Sequence, residues 1–199
     1  MNENNKKPNQ EIKDSGSMQE FKSGAHRDAS TSAKGDFSLV PLEYAAMVME
    51  GDPVVTNIAE FMEKRDIQYL VEALKASLDT VPVFRYDEIL GEMKSQNIEM
   101  RVYTDDKDKR KACCAHMMLE VAKIYFDGGA RYGRHNWKLS MPVNRYIDSG
   151  TRHYMKSLRG DIDEPHYRGF VWNLLCAMWT AEHFPEMNFK EEPERNPKK

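Results

Sequence analysis

Cysteine, charge of one sign and long apolar runs are all scarce in this chain of 199 residues, and each shortage removes a class of protein. Its three cysteines, Cys113, Cys114 and Cys176, form neither a CxxC pair nor an even disulfide set. Adjacent Cys113 and Cys114 do not readily bridge each other, so reduced, buried thiols in a cytosol are the expectation. Lys and Arg number 29 against 32 Asp and Glu, for a net charge of −3. Such a balance offers no clustered basic surface for duplex nucleic acid. No apolar run approaches the roughly 20 residues that span a bilayer. The opening MNENNKKPNQ also lacks the apolar stretch of a signal peptide, so a cytoplasmic protein with no membrane partner is expected.

What is present suits one folded domain with polar ends. Hydrophobic residues make up 40% and aromatics 10%, ordinary for a packed core, while the mean hydropathy of −0.74 is low enough to imply solvated tails. Residues 1–20 and 190–199 are polar and charged and read as disordered. The ordered region is 21–189, and it shows no solenoid repeat.

Helical periodicity dominates that region. Pro41 to Glu50 opens with a proline suited to a first turn and stops before the breaker Gly51-Asp52-Pro53. Thr56 is a candidate cap for the next helix. Ile58, Phe61, Met62, Ile67, Leu70, Val71, Leu74 and Leu78 continue at helical spacing, with a break near Arg65-Asp66. Tyr86–Met93 reads as a short helix, and Asn97–Tyr103 alternates as one short strand would. Lys111–Phe126 predicts a helix whose stripe is Ala115, Met118, Leu119, Ala122, Tyr125 and Phe126, capped at Gly128-Gly129. Two more helices span Tyr146–Leu158, closed by Gly160, and Pro165–His183. The fold class is therefore mainly α, a helical bundle with at most one short strand or hairpin in an inserted segment.

Two segments carry chemistry. Asp127–Trp137 places three glycines beside Arg131, Tyr132, Arg134, His135, Asn136 and Trp137. Glycines admit close backbone approach, arginines pair with phosphate oxygens, and Tyr or Trp faces stack on a base. The same residues would equally make a helix cap and a turn whose aromatics plug the core. In the second segment, Asp161, Asp163 and Glu164 crowd three carboxylates into the turn before the last helix. They serve either as its N-terminal caps, favoured by the macrodipole, or as oxygen ligands for Mg²⁺ or Mn²⁺. His166 and Asn173 are seven residues apart and share a helix face with Gly169 and Cys176. If the last two helices pack antiparallel about Gly160, His153 comes opposite His166, and Arg152 joins them.

Familiar signatures are missing. The chain has no His-Asp dipeptide, no GxxxxGK[ST] loop and no dinucleotide-binding fingerprint. Glu60-Phe-Met-Glu63 with Asp66 resembles the first half of the ExxE…ExxD motif of all-α nucleotide pyrophosphohydrolases, but the second half is not found. His26, His116 and His183 have no assigned partners.

Three blocks, in order, resemble a family. Phe21–Asp28 with Lys34–Pro41 resembles its opening block, Gly129–Gly133 with Asn136-Trp137 its central block. Ser149, Arg152-His153, Gly160-Asp161, Asp163-Glu164, His166 and Trp172-Asn173 resemble its closing block. Together they resemble the phage-associated dATP/dGTP diphosphohydrolase N-terminal domain family. Residues from about 51 to 110 have no counterpart and read as an insertion, and Gly160-Asp161 stands where the family usually has Gly-Glu.

The resemblance implies a small all-α, metal-dependent hydrolase of phage nucleotide metabolism, related in activity to MazG-like enzymes. It would cut a purine deoxynucleoside triphosphate to monophosphate and pyrophosphate, in the host cytoplasm if phage-encoded. Asp161, Asp163 and Glu164 would hold Mg²⁺ or Mn²⁺. His153, His166 and Glu164 would be catalytic, the histidines orienting or deprotonating water. Arg131, Arg152 and Lys156 would bind the polyphosphate. Tyr132 or Trp137 would stack on the base, with Asn136 and Asn173 lining the site and Arg27 and Asp28 closing over it. The alternative is a non-catalytic module of a phage that binds a nucleotide or a host protein. The 13 methionines suggest apolar faces hidden in a homo-oligomer.

Overall fold

The computed structural model describes residues 18–28, 36–80 and 106–188. Among these, six α-helices build a mainly helical bundle: α1 (Leu42–Val48), α2 (Pro53–Lys64), α3 (Ile67–Thr80), α4 (Asp106–Tyr132), α5 (Val143–Arg159) and α6 (His166–His183). The described β-structure is one antiparallel hairpin of β1 (Met18–Glu20) and β2 (His26–Asp28), with Gln19 opposite Arg27. It lies in the opening block, not in the 51–110 segment, because the turn at Gly24 (φ +81°) reverses the chain there. Its first strand falls inside the stretch read as tail. The expected strand at 97–103, the expected short helix at 86–93, and the tail residues 1–17 and 190–199 lie outside the described residues.

The core is shared by all the helices. Val54, Val55, Ile58 and Phe61 of α2 and Leu70 of α3 are buried together with Val143, Tyr146, Ile147 and Tyr154 of α5 and Phe170 and Leu174 of α6. Each such side chain contributes about 1.5–3 kcal/mol by leaving water. Residues 53–80, read as part of an insertion, thus fill the same core as the last two helices. The break at Arg65-Asp66 is present, with Arg65 in the left-handed region (φ +60°).

Local chemistry differs from expectation at three places. Asp52, inside the apparent breaker, starts α2: its Oδ1 accepts from Val54 N (3.0 Å) and Val55 N (2.9 Å), while Thr56 sits within the helix. Asp52 Oδ2 also accepts from Tyr154 Oη at 2.9 Å, so the cap is tied to α5. Second, α4 does not stop at Gly128-Gly129 but runs on to Tyr132 and ends before Gly133 (φ +95°). Two mid-helix glycines cost about 1 kcal/mol each, which tertiary context overrides. Third, α4 turns a different face inward. Met117, Glu120 and Val121 are buried, while Met118 (46%), Leu119 (65%) and Phe126 (77%) are exposed. Glu120 enters the interior because Arg168 of α6 reaches it at 3.3 Å.

Candidate active site

The site is made by the turn between α5 and α6. Gly160, at φ +86°, ends α5 in the left-handed conformation that a side chain would oppose, and Asp161 N donates back to Lys156 O at 3.0 Å. Pro165 then starts α6. The two helices pack antiparallel and close. A Cβ on Gly150 would come 2.9 Å from Leu174 Cδ1, and one on Gly169 would come 2.9 Å from the Cε1 and Nε2 of His153. That approach lays the imidazole of His153 on the backbone of α6, facing His166.

The outcome is a tight group. His153 Nδ1 and His166 Nδ1 are 3.1 Å apart. Glu164 Oε1 is 3.4 Å from His166 Nδ1 and 3.8 Å from His153 Nδ1. On its far side the ring of His166 reaches Asp163 Oδ1 through Nε2, at 2.8 Å. Lys156 Nζ stands 3.5 Å from Asp163 Oδ2 and 4.0 Å from Glu164 Oε1. Asp161 is engaged elsewhere, forked by Arg159 through Nε (2.6 Å) and Nη2.

Burial sorts these groups by reactivity. His166 is buried, and His153 and Glu164 are nearly so. Burial first, then His166, Arg152, Arg27 and Lys156, bring the imidazole of His153 down to about 3, so it is neutral at pH 7. Burial opposes ionisation of Asp163, but the hydrogen bond with His166 and the charge of Lys156 still hold it below the usual carboxylate value. Asp161 is lowered chiefly by its hydrogen bond from Arg159.

Alongside lies a second polar group that fastens the opening block to α5 and α6. Arg27 of β2 donates to Arg145 O (2.8 Å) and to Asn173 Oδ1 (3.3 Å), while Asn173 Nδ2 donates to Gly169 O (2.7 Å). Burial pulls the Arg27 guanidinium below its ordinary value. Asp148 accepts from Arg152 at 2.9 and 3.1 Å and from Phe37 N at 2.7 Å. Asp148 and Arg145, with Asp36 3.5 Å from Arg145, were not singled out in the sequence. The one signal for Asp148 is its four-residue spacing from Arg152 on α5.

The structure thus brings His153, Lys156, Asp161, Asp163, Glu164 and His166 to one end of the helix pair, with Arg152, Asn173 and Arg27 beside them. Asp28 follows in β2, its Cα in register with Met18. The glycine-rich segment goes to the opposite end. Trp137 packs edge-on against Tyr125 (5.3 Å) and Trp179 (5.2 Å), and Trp179 lies about 20 Å along α6 from His166. Asn136 pairs with the backbone of His26, accepting from its N at 2.9 Å and donating to its O at 3.0 Å. Arg131 and Tyr132 close α4, with the Arg131 guanidinium 5.9 Å from the Tyr132 ring centre. Glu60 pairs with Lys64, and Asp66 caps α3 through Gln68 N (2.9 Å).

Among protein families, residues 99–190 match a model described as dATP/dGTP diphosphohydrolase, N-terminal. No curated protein and no solved structure matches the chain. The matched span holds the central and closing blocks and all of the α5–α6 turn, whereas the opening block lies before it. Residues 99–190, somewhat less than half of the chain, are thus similar to the dATP/dGTP diphosphohydrolase N-terminal family that the sequence blocks resemble.

Proposed function

We propose that the chain is a metal-dependent hydrolase of purine deoxynucleoside triphosphates, with the α5–α6 turn as its reaction centre. The observation that carries this reading is the convergence of His153, His166, Glu164 and Asp163 beside Lys156 within the family-matched span. In the reaction water adds at the α-phosphorus and the bond from that phosphorus to the bridging oxygen breaks. Monophosphate and pyrophosphate leave, with one proton released. A divalent ion, when bound, neutralises phosphate oxygens and makes water more acidic. The donors suit such an ion, since two imidazoles and carboxylates face one another at ligand spacing. Lys156 and Arg152 supply positive charge for the polyphosphate, and the Arg27–Asn173 contact braces the wall behind them.

A nucleotide-metabolism role in the cytoplasm, that of a host if the chain is phage-encoded, fits free thiols at Cys114 and Cys176. No helix among the described residues is long and apolar enough to cross a membrane. Self-association is supported by the exposed Met118, Leu119 and Phe126 of α4. The test is a substrate screen: each dNTP and NTP is incubated with Mg²⁺, Mn²⁺, Zn²⁺ or EDTA, and products are separated by ion exchange. Deoxypurine monophosphate formed only with metal is the expected result. Intact nucleotides in every arm would overturn the reading in favour of a binding module.

A further inference from the structure

We propose that His153 Nδ1, His166 Nδ1 and Glu164 Oε1 form a three-ligand site for a nitrogen-preferring transition ion of the Zn²⁺ type, with Asp163 as the positioning residue of His166. The inference rests on the functional reading only in placing a divalent ion at this turn. It changes the expected division of labour: His153 and His166 ligate instead of transferring protons, and Asp161 and Asp163 leave the ligand set.

The geometry supports this. The three atoms lie 3.1, 3.4 and 3.8 Å apart. Neighbouring ligands of a tetrahedral zinc are separated by about 3.3 Å, given its usual bond lengths. In the neutral imidazole, donation of the Nε2 proton of His166 to Asp163 Oδ1 at 2.8 Å leaves a lone pair on Nδ1. That lone pair, the Nδ1 of His153 and the carboxylate of Glu164 share one small space. With both rings neutral, a single proton on His153 Nδ1 satisfies His166 Nδ1 but leaves Glu164 Oε1 without a donor from either ring; a cation serves all three atoms. The Asp163–His166 contact is the outer carboxylate that commonly orients a ligating imidazole. Gly169 is needed as well, since a Cβ there would meet the His153 ring.

The other grouping at the turn is Asp161, Asp163 and His166. Arg159 forks Asp161, and the His166 nitrogen on that side is already bonded to Asp163. Two imidazoles among three ligands favour Zn²⁺ or Co²⁺ over Mg²⁺, which prefers oxygen and retained water.

The test is titration of the full-length protein with Co²⁺, followed by visible absorption and calorimetry, with Zn²⁺ and Mg²⁺ as competitors. The expected result is one Co²⁺ per chain with an intense four-coordinate d–d spectrum, displaced by Zn²⁺ and unmoved by excess Mg²⁺. Glu164→Gln, on the turn and checked for folding by circular dichroism, should weaken Co²⁺ about 100-fold, and Asp163→Asn about 10–100-fold. Asp161→Asn should leave the affinity unchanged. Absence of Co²⁺ binding, equal competition by Mg²⁺, or a loss with Asp161→Asn as large as with Glu164→Gln would overturn the site. Hydrolysis with Mg²⁺ alone and no Co²⁺ site would sink this inference and leave the function standing. A Co²⁺ site without hydrolysis would do the reverse.

Discussion

The two ends of the α5–α6 pair use similar residue types for opposite purposes. At the turn, histidines and carboxylates face each other over 3.1–3.8 Å with few backbone partners. At the other end Asn136 spends both polar atoms on the backbone of His26, and Trp137 is wedged between Tyr125 and Trp179. Polar groups already satisfied by the fold hold shape, whereas groups that face one another are available for a ligand. The contrast separates the two glycine-associated segments that composition alone left equivalent.

Substitutions at the two ends should break this contrast in different currencies. Trp137→Ala removes the centre of the aromatic cluster and should cost about 3 kcal/mol, read as a lowered urea midpoint, with Co²⁺ affinity preserved. A large affinity loss without destabilisation would place Trp137 in the site. Gly169→Ala pushes on the imidazole of His153, a side chain that can swing away, so it should cost only about 1–2 kcal/mol. Its main effect should be on the ion, with Co²⁺ weakened by about tenfold or more, as for lost outer-shell positioning. Unchanged Co²⁺ binding in a folded Gly169→Ala protein would contradict the placement of His153. The smallest effect is expected from Asn136→Ala: loss of two hydrogen bonds to β2, about 1–2 kcal/mol, and faster amide exchange in the hairpin. Exchange at wild-type rates would show that another contact holds β2.

Much of the candidate site at the turn was legible in the sequence. Gly160 and Pro165 mark a helix–turn–helix, and antiparallel packing about that turn sets His153 against His166. The seven-residue spacing likewise put Asn173 on the His166 face, where Arg27 meets it. Other features depended on partners far away in sequence. The apolar stripe of α4 was real as a pattern, yet Arg168 draws the neighbouring face inward by pairing with Glu120. Asp52, read as part of a breaker, caps α2 through the nearby Val54 N and Val55 N; its tie to Tyr154, 102 positions later, is what local sequence does not reveal. Asp161 and Glu164 were equivalent as carboxylates; only the fork of Arg159 on one and the imidazoles beside the other distinguish them. Periodicity reports which residues share a face, not what that face meets.

The most direct test of the account is a single metal titration with two readouts on the same sample: hydrolysis rate of dATP or dGTP, and ion occupancy. The account predicts that both rise over one range of metal concentration in the wild-type protein and that Glu164→Gln shifts both together. Turnover that persists in EDTA, or in Glu164→Gln at wild-type metal concentrations, would contradict it.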